Sequence, residues 1–264
     1  MCSFDQASMT PVFCYCEYRL MSALILHSHP EPTAFNAQLT KQASQTLTQL
    51  GYAVDIADLY QEGFDPVERG EHYPDRTDAQ VFSPLAEQRH GWQQRSLPGD
   101  VQRQVSRLEQ AELLILQFPL WWHGPPAILK GWFDRVLISG GLYTSRMRYD
   151  NGYFKGRRAL ISVTTGAPAA ALEPGGRGGD INALLWPLHY SLHYLGYTVL
   201  PPFVAAGVQG QGYRYRDETA FAQHLAQLQQ GWHDHLRCLD AHSPLLFPGW
   251  QDWDSDGRAL AASR

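Results

Sequence analysis

Three short stretches concentrate the residue types that can hold and work on a flat ligand. Gln117-Phe118-Pro119-Leu120-Trp121-Trp122-His123-Gly124-Pro125-Pro126 places two indoles and an imidazole between an apolar run and a Gly-Pro-Pro turn. Large aromatics on a loop beyond a strand end offer a stacking surface to a π-rich ligand. His27-Ser28-His29-Pro30-Glu31-Pro32-Thr33-Ala34-Phe35-Asn36 joins another apolar run to the start of a helix. Free backbone N–H groups and the helix dipole make such a place an anion site, suited to a phosphate or pyrophosphate. Thr33 can add a hydroxyl there, and its type also marks it as the helix N-cap. His27 and His29 alternate in direction, which favours His29 as the imidazole facing a ligand. Thr164-Thr165-Gly166-Ala167-Pro168, continued by Gly175-Gly176-Arg177-Gly178-Gly179-Asp180, supplies hydroxyls and small residues that let backbone approach a ligand closely. No GxGxxG fingerprint or Walker lysine accompanies them, which excludes a Rossmann or nucleotide-hydrolase reading.

The elements that must position these stretches read as a β/α alternation. Ser22 to His27 is a first strand, followed by a helix from the Thr33 cap to about Leu50, with Gly51 as its stop. Tyr52 to Ala57 is a second strand, which completes a βαβ unit and so implies a parallel sheet. Residues Tyr60 to Gly99 lack periodicity and read as a functional flap or ordered insertion. Asp100 to Gln110 is helical, Leu113 to Phe118 is a third strand and Ala127 to Leu137 a helix. Gly140 to Phe154 is a glycine- and tyrosine-rich excursion. Arg158 to Thr164 is a fourth strand, Asp180 to about Tyr194 a helix, Tyr197 to Leu200 a fifth strand and Glu218 to Leu239 a last helix. Five such units fit an α/β, flavodoxin-like, doubly wound five-stranded parallel sheet of order 2-1-3-4-5. The three loops then gather at one crevice, beyond the first, third and fourth strands.

Composition bounds the rest. The 264 residues are 44% hydrophobic and 12% aromatic, enough for one large core. Three parts follow: residues 1–20 as a disordered extension or a start upstream of Met21, residues 21–240 as the domain, and residues 241–264 as an irregular aromatic tail. The net charge of -5 is scattered, which argues against nucleic acid. No apolar run approaches the roughly 18 residues of a membrane span. Cys2, Cys14 and Cys16 precede Met21 and only Cys238 follows, so the domain has no disulfide framework, as expected of a cytoplasmic protein. Their spacing does not suggest a metal site.

These residues carry a resemblance. His29 to Asn36, the Gln117–Leu120 run with Trp122, the helix Pro126-Ala127-Ile128-Leu129-Lys130-Gly131-Trp132-Phe133, Thr164-Thr165-Gly166, and Gly179-Asp180 with Leu185-Trp186-Pro187 resemble the NAD(P)H:quinone oxidoreductase (DT-diaphorase) family. The resemblance runs from about Ser22 to about Leu239. It implies a flavin whose diphosphate lies on His29, Thr33, Ala34, Phe35 and Asn36. Pro119, Leu120, Trp121, Trp122 and His123 would run along the isoalloxazine, and Thr164, Thr165, Gly166 and Ala167 along its polar edge. Tyr143, Thr144 and Ser145 match the segment that borders the substrate, contributed across a homodimer. The implied reaction passes hydride from NAD(P)H through flavin N5 to a quinone or similar flat acceptor, in two alternating half-reactions. Trp121, Trp122, Phe154 and Tyr143 are candidate stacking residues, and His123 or His193 could deliver a proton.

The chain departs from the family at two places. Leu172 and Gly178 stand where mammalian members carry a third-loop tyrosine and histidine, so Arg177 is the candidate for positive charge near flavin N1 and O2. His123 stands where the family is usually apolar and aromatic. The longer members bind FAD through the insertion after the second strand and the segment after the fifth, here Tyr60 to Gly99 and Tyr213 to Arg216. That favours FAD, with FMN the alternative. Other readings are an azo or nitroaromatic reductase, a flavin-bearing ancillary subunit of a transport system, and a long-chain flavodoxin carrier.

Overall fold

The computed structural model describes residues 21–210 and 216–260. Expectations for residues 1–20 and for Tyr213 to Tyr215 lie outside them. Strands β1 (Met21–His27), β2 (Tyr52–Asp58), β3 (Leu113–Pro119) and β4 (Arg158–Thr165) pair in parallel in the order β2-β1-β3-β4. β3 is buried along its whole length and β4 along all but its first residue, as strands covered on both faces must be. Helices α3 (Gly99–Gln110), α4 (Ala127–Val136) and α5 (Ile181–Tyr194) supply Val101, Leu108, Leu129, Trp132, Leu185 and Leu192 to the core on one face. On the other face α1 (Phe35–Gln49) and α6 (Glu218–Arg237) contribute Phe35, Leu39, Leu47, Trp232 and Leu236.

The fifth strand differs from the sequence expectation. It is broken into β5 (Thr198–Val199) and β6 (Phe203–Ala206), with Leu200, Pro201 and Pro202 between them. Proline has no N–H to give a ladder, so the pairing lapses and resumes. β5 pairs with the start of β4, and β6 pairs with Ser162 to Thr165 at its end. Thus β6, which was missed, carries the sheet edge up to the third loop.

The insertion after β2 is ordered and contains a further helix, α2 (Pro84–Gln94). Its buried face is Glu87, Gln88 and Gly91, so no apolar period announced it. Glu87 accepts from the Thr77 N–H and hydroxyl. Gln88 donates to Asp134 O and accepts from Ser139 N–H. Arg135, 1% exposed, donates to Asp65 O and pairs with Asp100. A side chain on Gly131 would meet Pro66 O at 2.1 Å, so α4 and the insertion approach as closely as backbone allows. A buried charge is tolerated only when paired in this way.

The tail also folds back. Leu245 N–H donates to Val199 O and Trp250 Nε1 to Arg148 O. Tyr149 packs against His193, Tyr194, Trp250 and Trp253. No helix among the described residues is long and apolar enough to cross a membrane.

Two tests follow from this packing. Trp232 is fully buried and its Nε1 donates to Leu39 O, tying α6 to α1. Trp232→Ala should cost about 3–5 kcal/mol, read as a lower urea midpoint at unchanged slope. His189 is buried, its Nε2 has no partner, and burial holds its pKa down at about 4, against 6.5 ordinarily. The unfolded chain therefore binds the proton first as pH falls. Stability should decline from about pH 6.5 toward about pH 4, by up to about 1.4 kcal/mol per pH unit from this group. His189→Gln should flatten that part of the profile; an unchanged profile would show that His189 does not set it.

Candidate active site

The three loops lie side by side because the sheet's hydrogen bonding continues past the strand ends. Ser28 N–H donates to Gln117 O, Leu120 N–H to Thr164 O, and Val208 N–H to Thr165 O. Asn36, buried at the first turn of α1, donates from Nδ2 to Thr164 Oγ1 at 3.1 Å. The first and third loops are thus joined by a side chain as well.

In the first loop, the N-cap is Ala34, with no side-chain cap bond. This corrects the reading of Thr33 as the cap: its hydroxyl donates instead to Glu31 Oε1 at 2.6 Å. The N–H groups of Phe35, Asn36 and Ala37 find no acceptor among the described residues. They leave the positive end of α1 available to an anion. His29 Nδ1 accepts from Glu31 N–H at 3.0 Å. A neutral ring then carries its proton on Nε2 and is a donor there, and burial lowers its pKa and favours that neutral form. His27 is 3% exposed and its Nδ1 lies 2.8 Å from Thr40 Oγ1. His27 is thus buried in the fold while His29 is half-buried. The Phe35 side chain is core, so only its backbone is free for a ligand.

The second loop is a two-residue reversal. Trp121 and Gly124 exchange both backbone hydrogen bonds, and Trp122 and His123 between them have φ of 50° and 61°. Such a turn favours Asn-Gly; a tryptophan and a histidine here are strained, a feature that gathers at functional sites. The result is an indole displayed to solvent: Trp122 is 98% exposed and Trp121 42%. The Trp121 ring stands 5.9 Å from that of His29, which joins the stacking loop to the anion loop. Leu120 is half-buried and Pro119 ends the buried strand β3.

In the third loop Thr164 and Thr165 are buried, and Thr165 Oγ1 accepts from Ala167 N–H. Gly166, Ala167, Pro168 and Arg177 line a cavity of about 600 Å³, with Gly207 and Arg216 on its far side. His123 and Tyr143 share a different cleft, of about 450 Å³, with Phe133 and Leu188. Within one chain, therefore, the three candidate catalytic residues are not brought together: Arg177 stands apart from His123 and Tyr143. Phe154 is fully buried and stacked on Tyr197, so it is core and not a stacking surface. His193 is bonded to Pro248 O and stacked on Phe247, which removes it as a proton donor to the site. The sequence reading missed Gln117 and Ser28. Both are buried with side-chain atoms lacking partners, as is Asn36 Oδ1. Ser28 and Gln117 interrupt or end apolar runs, and that polar break was the available signal.

The turn gives a test of its own. Replacing Trp122-His123 by Asn-Gly should raise stability by about 1 kcal/mol, seen as a higher denaturation midpoint. No gain would show that the turn is unstrained.

Residues 21–231 match the family model for a flavodoxin-like fold. The chain is 38% identical over 187 residues to mouse (Mus musculus) ribosyldihydronicotinamide dehydrogenase (quinone), covering 70% of this chain and 81% of that protein. It is 35% identical over 230 residues to guinea pig (Cavia porcellus) NAD(P)H dehydrogenase (quinone) 1, covering 86% and 80%. A crystal structure of a proposed quinone reductase from Klebsiella pneumoniae superposes with a TM-score of 0.78, at 29% identity, over 92% of this chain and 93% of that one.

Proposed function

Because the chain belongs to the flavodoxin-like family of quinone oxidoreductases, we propose that it is a flavin-dependent NAD(P)H oxidoreductase acting on a quinone or a similar flat acceptor. The observation that carries this reading is the join between an uncapped helix start and an exposed indole pair. An anion and an aromatic plane can be held there at once, on one sheet edge. A flavin nucleotide has both parts. The buried atoms without partners, Ser28 Oγ and Asn36 Oδ1, flank the anion loop and fit a polar ligand at it.

The first-turn N–H groups of α1, with Thr33 and His29 Nε2, would hold the diphosphate. Pro119, Leu120, Trp121, Trp122 and His123 form the wall along the ring system. Thr164, Thr165, Gly166 and Ala167 give donors to its polar edge. When bound, the flavin would supply two-electron redox chemistry. The residues' part is to orient two flat substrates in turn over one face, which stacking surfaces can do for both. His123 is placed to exchange a proton with the acceptor, and Tyr143 to border it across a homodimer. Arg177 places positive charge toward the polar edge, since Gly166 and Ala167 line the same cavity. There it favours the reduced, anionic ring. FAD is preferred to FMN because that cavity continues from Gly166 to Gly210, space that a mononucleotide does not need.

Steady-state rates with NADPH and a soluble quinone should give parallel double-reciprocal lines. Intersecting lines would contradict alternating use of one face, and turnover confined to azo dyes would change the acceptor. Rapid flavin binding without any turnover would favour an ancillary or carrier role. Arg177→Ala should make the flavin midpoint potential more negative, and should lower kcat/KM by about tenfold; unchanged values would remove Arg177 from the mechanism.

A further inference from the structure

The tail after α6 has no task in the reaction proposed above. Residues 245–260 fold back as a small ordered unit. Gly249 N–H donates to Asp252 Oδ2, Asp254 N–H to Arg258 O and Leu260 N–H to Asp252 O. The unit presents two half-buried indoles, Trp250 and Trp253, to the ring of Tyr149. Neither indole lines the cleft that His123 and Tyr143 share.

Tyr149 has a φ of 54°, a backbone region that a bulky residue keeps only where its surroundings hold it. Those surroundings are rings. The Trp253 centroid lies at 4.6 Å, and Trp250 and Tyr194 stand edge-on at 5.4 Å and 5.3 Å. Tyr194 in turn meets Tyr143, again edge-on, at 5.7 Å. A second line of contact is polar. Trp250 N–H donates to Asp150 Oδ1 at 2.9 Å, and Trp250 Nε1 to Arg148 O at 3.0 Å. Arg148 Nε donates to Thr144 O at 2.7 Å, and its guanidinium lies 4.9 Å over the Tyr194 ring. The ring contacts thus reach the Tyr143 side chain, while the hydrogen bonds reach the backbone beside it. Every one of these contacts lies within a single chain.

We propose that Trp250 and Trp253 are positioning residues for the acceptor. The tail clasps the segment from Tyr143 to Tyr149 and, through Tyr149, Tyr194 and Arg148, sets the Tyr143 ring in the cleft it lines with His123. This rests on the reading of Tyr143 as a residue bordering the acceptor. Tyr143 is half-buried and stands outside the helices and strands, so several rotamers are open to it, and those turned from the cleft weaken acceptor binding. Edge-on packing against Tyr194 is directional and selects one of them. The clasp keeps Tyr194 and the Tyr143 backbone in place for that packing.

The test uses the full chain with its flavin, the single variants Trp253→Ala, Trp253→Phe and Tyr143→Ala, and the double variant of Trp253→Ala with Tyr143→Ala. Trp253→Ala should lower kcat/KM for a soluble quinone roughly tenfold, and Trp253→Phe should keep most of it. In the Tyr143→Ala background, Trp253→Ala should have no further effect, because the residue it acts through is gone. Losses that multiply in the double variant would overturn the proposal, since a tail that only stabilises the fold harms both backgrounds alike. An unchanged kcat/KM in Trp253→Ala would overturn it as well. Hydrogen exchange reads the clasp without turnover. The amides of residues 143–148 should exchange faster in Trp253→Ala, and equal exchange would refute the clasp. If Trp253→Ala does not fold, Trp250→Phe carries the same measurements, for it keeps a ring and removes only the Nε1 donor to Arg148 O. A wild-type chain that turns over no quinone would overturn the acceptor reading instead, and the exchange rates would still decide whether the tail holds the segment.

Discussion

The hydrogen bonding that runs on beyond the ends of β1, β3 and β6 is the constraint from which the rest of this molecule follows. Each parallel strand ends pointing the same way, and each following loop begins with an N–H given to its neighbour: Ser28 to Gln117, Leu120 to Thr164, Val208 to Thr165. In water each such bond contributes only about 1 kcal/mol. Their value here is geometric. They hold an anion-binding helix start, an aromatic turn and a small-residue loop in fixed relation, although the three are far apart in the chain. Pre-organised groups on a rigid frame are what ligand orientation requires.

Stability is spent locally to keep that edge functional. Trp122 and His123 occupy backbone conformations that glycine or asparagine would accept more readily. α1 begins without a side-chain cap, and Ser28 and Asn36 bury atoms with no partner. Each feature weakens the protein alone, and each makes sense where a ligand supplies the missing interaction. The compensation lies elsewhere, in cores on both faces of the sheet and in Arg135 of α4, which pairs with Asp100 of α3 and donates to Asp65 O of the insertion.

Much of this was legible in the residues. The apolar runs ending at His27, Phe118 and Thr164 gave the central strands, and the sheet order followed from their alternation with helices. The three loops were legible because polar or aromatic residues interrupt those runs. What escaped is equally specific. α2 buries Glu87 and Gln88, so the periodic signal that marks a helix was absent. The fifth strand breaks at Pro201-Pro202 and resumes at Phe203, a continuation that only the partner strand specifies. Thr33 has the right type for a cap, yet Glu31 competes for its hydroxyl. Arg177 and Arg216 line one cavity from two loops that no local pattern connects.

The most direct measurement is an anaerobic reductive titration of the purified protein. The flavin band should bleach on adding NADPH or NADH and return in full when one equivalent of a soluble quinone follows. A bound flavin that neither nucleotide reduces would contradict the oxidoreductase mechanism. A chain that takes up no flavin after reconstitution would contradict the central claim that this sheet edge is a flavin site.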